Sequence, residues 1–201
     1  MTGQINYESD ELGRYIVDIC KKPEVHTIVE IGTWNGQGST RCIVQGLKES
    51  DKEDYKVVSL ECWLDMYCTA VKNNAANLNN KFNIIHGKIA DENRLTAWFD
   101  ESILTNEQRG WLNEDRERMK QVPNVLPLVP EKIDFLILDG GEFSTYLEWE
   151  LLKDRFTYCA LDDTRELKCT KIREEVYNSD RFEVLVDDTS ARNGFMVFKV
   201  K

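Results

Sequence analysis

The stretch Thr27-Ile-Val-Glu-Ile-Gly-Thr-Trp-Asn-Gly-Gln-Gly-Ser39 has the most informative pattern in the sequence. Its first five residues are apolar or β-branched except for Glu30, which predicts a buried strand. Three glycines follow, and Ser39 or Thr40 is then expected to cap a helix. Because glycine has no side chain, the backbone after such a strand can approach a bound molecule closely. The stretch therefore predicts a nucleotide-type binding site at the carboxyl end of a strand.

The spacing of these glycines excludes two common nucleotide motifs. The pattern is GxxxGxG and not GxGxxG, and no GK[ST] follows, so neither the dinucleotide pattern nor the P-loop is present. The carboxylate of Glu30, just before the first glycine, would repel a pyrophosphate but would suit a ligand that carries an ammonium and a sulfonium group. A structural turn could use the same glycines, although three of them behind an acid favour a binding loop.

The rest of the chain has the pattern of an α/β fold, in which parallel strands are joined by crossover helices. Helices are predicted over 8–22, 38–48, 65–79, 92–100, 105–121, 143–154 and 165–178. We expect one domain over 1–201, with an N-terminal helix and an insertion at 92–130. The last two predicted strands form an antiparallel hairpin. The strands are predicted at Thr27–Ile31, Lys56–Glu61, Phe82–His86, Ile133–Asp139, Thr157–Asp162, Phe182–Val186 and Phe195–Val200.

The connection 92–130 is longer than a strand crossover needs. Within it, Thr105 and Gln108 form a capping box that opens a strongly charged helix. The segment is either a solvated surface insertion or a functional element, such as a lid over the site or part of a homodimer interface.

Composition narrows the class of protein. The chain has 36 acidic and 26 basic residues and a formal charge of -10, which opposes nucleic-acid binding in the absence of a dense basic run. Its apolar stretches are too short to cross a membrane, and its acidic first twenty residues differ from a signal peptide, so we expect a cytoplasmic protein. The six cysteines form no CxxC pair, which predicts reduced thiols and no structural zinc.

The segment from Glu30 to Ser39 resembles the first motif of the class I S-adenosylmethionine-dependent methyltransferases, and the resemblance covers nearly the whole chain. It implies a Rossmann-like fold with a mostly parallel seven-stranded sheet in the order 3-2-1-4-5-7-6 and helices on both faces. It also implies S-adenosylmethionine as cofactor, an acid at the end of the second strand that accepts both ribose hydroxyls, and adenine contacts near the ends of strands two and three. The predicted cofactor residues are Glu30, Gly32, Thr33, Trp34, Gly36, Gly38, Ser39, Glu61, Cys62, Trp63, Gly87, Lys88 and Asp139. Alternatively, Glu61 is an ordinary solvated strand end and Trp63 belongs to the core.

Three carboxylates, those of Asp139, Asp162 and Asp163, end two strands that should be neighbours in the sheet. Anions at such close range need a cation or a large pKa shift. Their oxygen atoms suit Mg²⁺ or Mn²⁺ better than zinc. Alternatively, Asp163 caps the following helix in a capping box with Glu166, and Asp139 merely ends its strand.

The paired aspartates are similar to those of the metal-dependent small-molecule O-methyltransferases, and the macrolide-sugar type, which retains Asp-Asp, is closer than the catechol type. The resemblance implies methyl transfer to a small-molecule hydroxyl, with the three aspartates as metal ligands. Where the catechol type has a lysine base this chain has Glu142, so the catalytic candidates are Asp139, Glu142 and Lys88. A metal-free methyltransferase and a non-catalytic S-adenosylmethionine-binding domain are alternatives. Methylation of nucleic-acid bases is disfavoured, because no Asn-Pro-Pro-Tyr element follows the fourth strand.

Overall fold

A computed structural model describes residues 5–201 and shows one seven-stranded sheet in the order β3-β2-β1-β4-β5-β7-β6. This is the order implied by the resemblance, and all seven predicted strands are confirmed, four with the predicted bounds and three with one boundary shifted by one or two residues. The strands are β1 (Thr27–Ile31), β2 (Lys56–Glu61), β3 (Phe82–His86), β4 (Ile133–Leu138), β5 (Phe156–Asp162), β6 (Phe182–Asp188) and β7 (Phe195–Val200).

The register brings the carboxyl ends of the central strands to one edge of the sheet. Ile31 at the end of β1 pairs with Leu60 of β2 on one side and with Leu138 of β4 on the other, both parallel. β7 runs antiparallel to both β5 and β6, and a bulge interrupts the β6 ladder between Val184 and Val186. The loops that follow β1, β2, β4 and β5 therefore lie close together at this edge.

Residues 5–201 contain six α-helices, which lie on both faces of the sheet and in the insertion 92–130. They are α1 (Glu11–Lys21), α2 (Ser39–Glu49), α3 (Leu64–Asn73), α4 (Asn106–Lys120), α5 (Thr145–Leu152) and α6 (Leu167–Tyr177). Alternate residues of each strand point to opposite faces, so Ile28 packs in one core with α1 and α2, whereas Val29 packs in the other with α5 and α6. Trp149 of α5 is fully buried among three phenylalanine rings of the second core.

The helix predicted over 92–100 is wrong. Only a short 3-10 turn, Glu92–Arg94, forms there, and another follows at Glu101–Ile103. Asp91 and Asp100 are the N-caps of these two turns, and each side chain accepts a hydrogen bond from the backbone N–H two residues further on. A new turn therefore opens at Asp100, where the predicted helix would end. By contrast, α4 begins at the predicted capping box of Thr105 and Gln108.

The insertion 92–130 is packed against the domain. Its apolar residues form a third core cluster with Phe143 and Leu147. Where it returns to the sheet, Asn124 forms a parallel bridge with Lys88, and Val125 lies so close to Gly87 that a Cβ there would be 2.6 Å from its methyl groups. A simple solvated excursion does not describe this segment.

The helices described over 5–201 are all too short or too polar to span a bilayer.

The contact between α1 and α2 depends on Gly46. A Cβ added at this position would lie 2.6 Å from the Cβ of Cys20 and 2.7 Å from the carbonyl oxygen of Val17, both in α1. We expect Gly46→Ala to lower the free energy of unfolding by about 1–3 kcal/mol through overpacking. Gly110→Ala is the matched control, because nothing lies within 4 Å of its added Cβ, and it should raise stability by roughly 0.5–1 kcal/mol. Urea denaturation of both variants measures the difference, and equal effects would contradict this packing.

Candidate active site at the carboxyl edge of the sheet

A cavity of about 860 Å³ lies at the carboxyl ends of β1, β2 and β4. Its volume falls in the roughly 300–1,000 Å³ range typical of small-molecule sites. Eleven of the predicted cofactor residues line it: Gly32, Thr33, Trp34, Gly38, Ser39, Glu61, Cys62, Trp63, Gly87, Lys88 and Asp139. The glycine loop and the ends of β2, β3 and β4 therefore meet around one space, as the sequence predicts.

The glycine loop turns sharply at the end of β1. Gly32 has a φ of +91°, and a Cβ there would be 1.9 Å from the carbonyl oxygen of Asp139, so only glycine fits this approach to β4. Trp34 has a φ of +51° and is held in this left-handed conformation by a hydrogen bond from its backbone N–H. α2 then begins at Ser39 with Gly38 as its N-cap, and the expected side-chain cap from Ser39 or Thr40 does not form.

Two of the predicted cofactor residues do not reach the cavity wall. The Glu30 side chain is completely buried under the loop and accepts hydrogen bonds from the Thr40 hydroxyl at 2.9 and 3.0 Å, because strand alternation turns it towards α2. Gly36 has a φ of +73° and faces α3, where the Asn74 side chain donates to its carbonyl. The structure therefore gives both residues a role in fixing the loop and places neither against a ligand.

The Glu61 carboxylate connects the first two loops of the site. Oε2 accepts a hydrogen bond from the Trp34 N–H at 2.6 Å, and Oε1 accepts one from the Trp63 N–H at 2.7 Å. Burial raises the pKa of this carboxyl, against the lowering effect of the backbone N–H groups. Because a carboxylate has about four acceptor positions, both oxygen atoms can accept further hydrogen bonds from a ligand in the cavity. A solvated strand end is excluded, since Glu61 is only 7% exposed.

The insertion supplies one wall of the cavity. Asp115, Arg118 and Met119 of α4 line it, and the Arg118 guanidinium lies 4.3 Å from the centre of the Trp63 ring. Trp63 in turn contacts Trp34 edge-on, with 5.1 Å between ring centres. The sequence pattern does not reveal these α4 residues, because a charged helix in an insertion looks like a solvated one.

Both candidate bases, Lys88 and Glu142, are engaged in other contacts. The Lys88 ammonium forms an ion pair with Glu92 and donates to the carbonyl of Met119 at 2.6 Å, so it fastens the insertion to β3. Glu142 does not line the cavity, and its carboxylate accepts from the backbone N–H of Lys168 at 3.3 Å. Burial raises the pKa of Glu142 to about 7. Of the two carboxylate candidates, Asp139 is the one that lines the cavity.

The three aspartates do converge. Asp139, Asp162 and Asp163 each offer an oxygen atom within 4.8 Å of the others. The Lys168 ammonium, which the sequence analysis missed, lies 2.9 Å from Oδ1 of Asp139 and 2.8 Å from Oδ2 of Asp163. Arg192 donates to Oδ1 of Asp162 at 2.6 Å. Each carboxylate of the cluster thus has a cationic partner from its own chain.

These cations set the protonation of the cluster. Burial works to raise the pKa of Asp163, but the ammonium of Lys168, a hydrogen bond from the Asn193 side chain and the charge of Arg192 together lower it below its ordinary value. Burial, together with the negative charge of Asp139, raises the pKa of Asp162 to about 7. Asp163 has a φ of +55° and is not the helix cap predicted from its capping box; the N-cap of α6 is Glu166.

The donor set of this cluster suits a hard divalent ion, but its geometry does not. An ion held by the two oxygen atoms that Lys168 contacts would have to take the place of the Lys168 ammonium. In the arrangement described, the three carboxylates do not fit a divalent metal.

Glu148 of α5 is a further residue that the sequence analysis missed. It is 5% exposed, it lines the cavity, and its Oε2 has no hydrogen-bond partner among residues 5–201. Burial raises the pKa of its carboxyl to about 7. Its segment, Thr145-Tyr-Leu-Glu-Trp-Glu-Leu-Leu152, alternates irregularly between apolar and acidic residues, and no signal in it distinguishes Glu148 from its exposed neighbour Glu150.

No protein-family model and no curated protein matches this sequence. Solved structures do match. The chain is similar to an O-methyltransferase from Bacillus cereus in complex with S-adenosylhomocysteine, with 18% identity and a TM-score of 0.61 over 94% of this chain and 80% of that one. The chain has the class I methyltransferase fold. It is also similar to the S-adenosylhomocysteine-bound methyltransferase PaMTH1 from Podospora anserina, with 12% identity and a TM-score of 0.59 over 94% and 77% of the two chains.

A further similar structure is the O-methyltransferase TomG from Streptomyces achromogenes, which is involved in tomaymycin synthesis and is bound to S-adenosylmethionine. It shares 15% identity and a TM-score of 0.58, over 96% of this chain and 81% of its own. At these identities the comparison establishes the fold, and the function of this chain has to be argued from its cavity.

The burial of Glu30 makes stability depend on pH. Burial raises the pKa of Glu30 to about 7 from an ordinary 4.5, so between these values the native state binds a proton that the unfolded state does not. The free energy of unfolding should therefore fall as pH rises through this window. In Glu30→Gln, the decrease in the free energy of unfolding between pH 5 and pH 8 should be smaller than in wild type by up to about 3 kcal/mol, as measured by urea denaturation. Glu131→Gln, whose side chain is 87% exposed, should retain the wild-type dependence. An unchanged pH dependence in Glu30→Gln would show that this carboxyl titrates normally.

Proposed function

We propose that the protein is an S-adenosylmethionine-dependent methyltransferase that transfers a methyl group to a hydroxyl of a small molecule. The observation that carries the proposal is the position of Glu61. Its buried carboxylate ends β2 and faces the cavity opposite the glycine turn, with acceptor positions left for a vicinal diol. Similar structures are bound to S-adenosylmethionine or S-adenosylhomocysteine, which supports the same ligand here.

The cavity wall fits the parts of this cofactor. Gly32 brings backbone close to the ligand, and Glu61 would accept the ribose hydroxyls. The rings of Trp34 and Trp63 offer apolar surface, and the unpartnered Oε2 of Glu148 would accept a hydrogen bond from an amino group. When bound, the cofactor supplies a methyl group made electrophilic by its sulfonium.

On the acceptor side, Asp139 is the residue that we propose orients the hydroxyl and accepts its proton. It lines the cavity, and Lys168 fixes one of its oxygen atoms, so the other is held in a defined direction. General bases at such positions contribute roughly 10²–10⁴-fold to the rate. Lys88 and Glu142 are engaged elsewhere and are not proposed as bases.

Divalent-metal assistance stays an untested prediction of the sequence. The ion pairs of Lys168 and Arg192 with the three aspartates support the metal-free alternative. The acceptor class proposed is a small molecule, because the cavity has a volume of about 860 Å³ and is lined by residues of α4 and α5 beside the loops at the sheet edge.

The experiment compares S-adenosylhomocysteine with its 2′-deoxy analogue by calorimetry. Because hydrogen bonds to a charged acceptor contribute roughly 1.5–3 kcal/mol each, wild type should bind the 2′-deoxy analogue at least about tenfold more weakly. Glu61→Ala should bind both ligands weakly and with nearly equal affinity, because the partner of the lost hydroxyl is gone.

The comparison also controls for damage to the loops, since Glu61 holds the backbone at Trp34 and Trp63. A merely structural role would weaken both ligands while preserving their ratio. Preserved discrimination in Glu61→Ala would remove Glu61 from ribose recognition, and no binding of S-adenosylhomocysteine to wild type would refute the proposed function.

A further inference from the structure

We propose that the ammonium group of Lys168 takes the place of a divalent cation at this sheet edge, so that Asp139, Asp162 and Asp163 form a closed ion network and bind no metal. The consequence for methyl transfer rests on the proposed function, whereas the exclusion of metal does not.

The contacts of Lys168 satisfy its ammonium completely. Its Nζ lies 2.9 Å from Oδ1 of Asp139, 2.8 Å from Oδ2 of Asp163 and 3.4 Å from the carbonyl oxygen of Gly140. An ammonium has three N–H donors, and three acceptors surround it. The side chain is only 6% exposed, so water does not compete for these positions. The ammonium therefore bridges the ends of β4 and β5, as a shared metal ion would.

Backbone contacts at the start of α6 fix the position of the Lys168 Cα atom, from which this side chain extends. Lys168 lies in the first turn of α6, where its N–H donates to Glu142 and the neighbouring Cys169 is fully buried. A cation in the first turn of a helix is unfavourable, because the helix dipole is positive there. The nearby carboxylates offset that cost, so the cluster and the position of α6 depend on each other.

The third carboxylate is also occupied. Arg192 donates to Oδ1 of Asp162 at 2.6 Å, and its Nε lies 2.9 Å from Oδ2 of Asp10. Asp162 is 5% exposed and Asp10 is 10% exposed at their side chains. A divalent ion held by all three carboxylates would thus have to compete with three ion pairs, two made by Lys168 and one by Arg192.

A divalent ion cannot share this space. Mg²⁺ binds oxygen ligands at about 2.0–2.1 Å, closer than the ammonium does, and would lie against Lys168 if bound by the same oxygen atoms. The two cations would repel each other strongly, because the Lys168 side chain is only 6% exposed and water screens its charge little. Under the proposed function, the acceptor would then be held by side chains of the cavity and would not be chelated through adjacent oxygen atoms.

The test measures Mn²⁺ binding by electron paramagnetic resonance. Wild type at pH 7.5 should leave Mn²⁺ free at millimolar concentration. Lys168→Ala uncovers the carboxylates and should bind Mn²⁺ at least tenfold more tightly than wild type. Lys171→Ala, on the same helix with its ammonium over the Tyr146 ring, is the matched control and should behave as wild type does.

Tight Mn²⁺ binding by wild type that is lost in Asp163→Asn would overturn the proposal, as would a folded Lys168→Ala that gains no binding. Should Lys168→Ala fail to fold, the wild-type titration decides alone, with Lys168→Arg as the charge-preserving variant expected to exclude Mn²⁺. Binding of S-adenosylhomocysteine, measured on the same samples, separates the two claims: its loss refutes the proposed function and leaves the metal result standing.

Discussion

The buried ammonium of Lys168 holds two strand ends that would otherwise repel each other. Asp139 follows β4 and Asp163 follows β5, and with Asp162 they bring three carboxylates within 4.8 Å. Without an internal cation, this concentration of charge would oppose the packing of β4 against β5 at their carboxyl ends. The same ammonium orients Asp139 at the cavity wall and holds the start of α6 against the ends of β4 and β5. The fold and the candidate site therefore depend on the same interaction.

The shape of the cavity also depends on buried charged side chains. Glu61 holds the backbone of the glycine loop and of the β2–α3 loop with its two oxygen atoms, and Glu30 anchors α2 beneath them. Buried carboxylates that accept N–H and O–H hydrogen bonds thus set the shape of the loops. Only one of the two acids, Glu61, remains accessible to a ligand, because successive residues of a strand point to different sides and β1 turns Glu30 towards α2.

The sequence is sufficient to predict the sheet, because each strand is a short apolar run between turn signals. It also predicts most of the cofactor loop, because Gly32 and Glu61 lie at strand ends. The sequence does not predict structure that depends on contacts between segments far apart in the chain. The capping box at Asp163 does not form, because Thr164 and Arg165 instead donate their backbone N–H groups to the β6–β7 connection. Lys168 looks like an ordinary surface lysine, and its burial arises only when α6 folds back over β4 and β5.

The most direct test is a crystal structure grown with S-adenosylhomocysteine and MnCl₂ together, with anomalous data collected at the manganese edge. We expect the ligand in the cavity, its ribose hydroxyls on the Glu61 carboxylate, Lys168 between Asp139 and Asp163, and no anomalous peak at the three aspartates. A manganese peak among those aspartates with Lys168 displaced, or the ligand bound away from Glu61, would contradict this expectation.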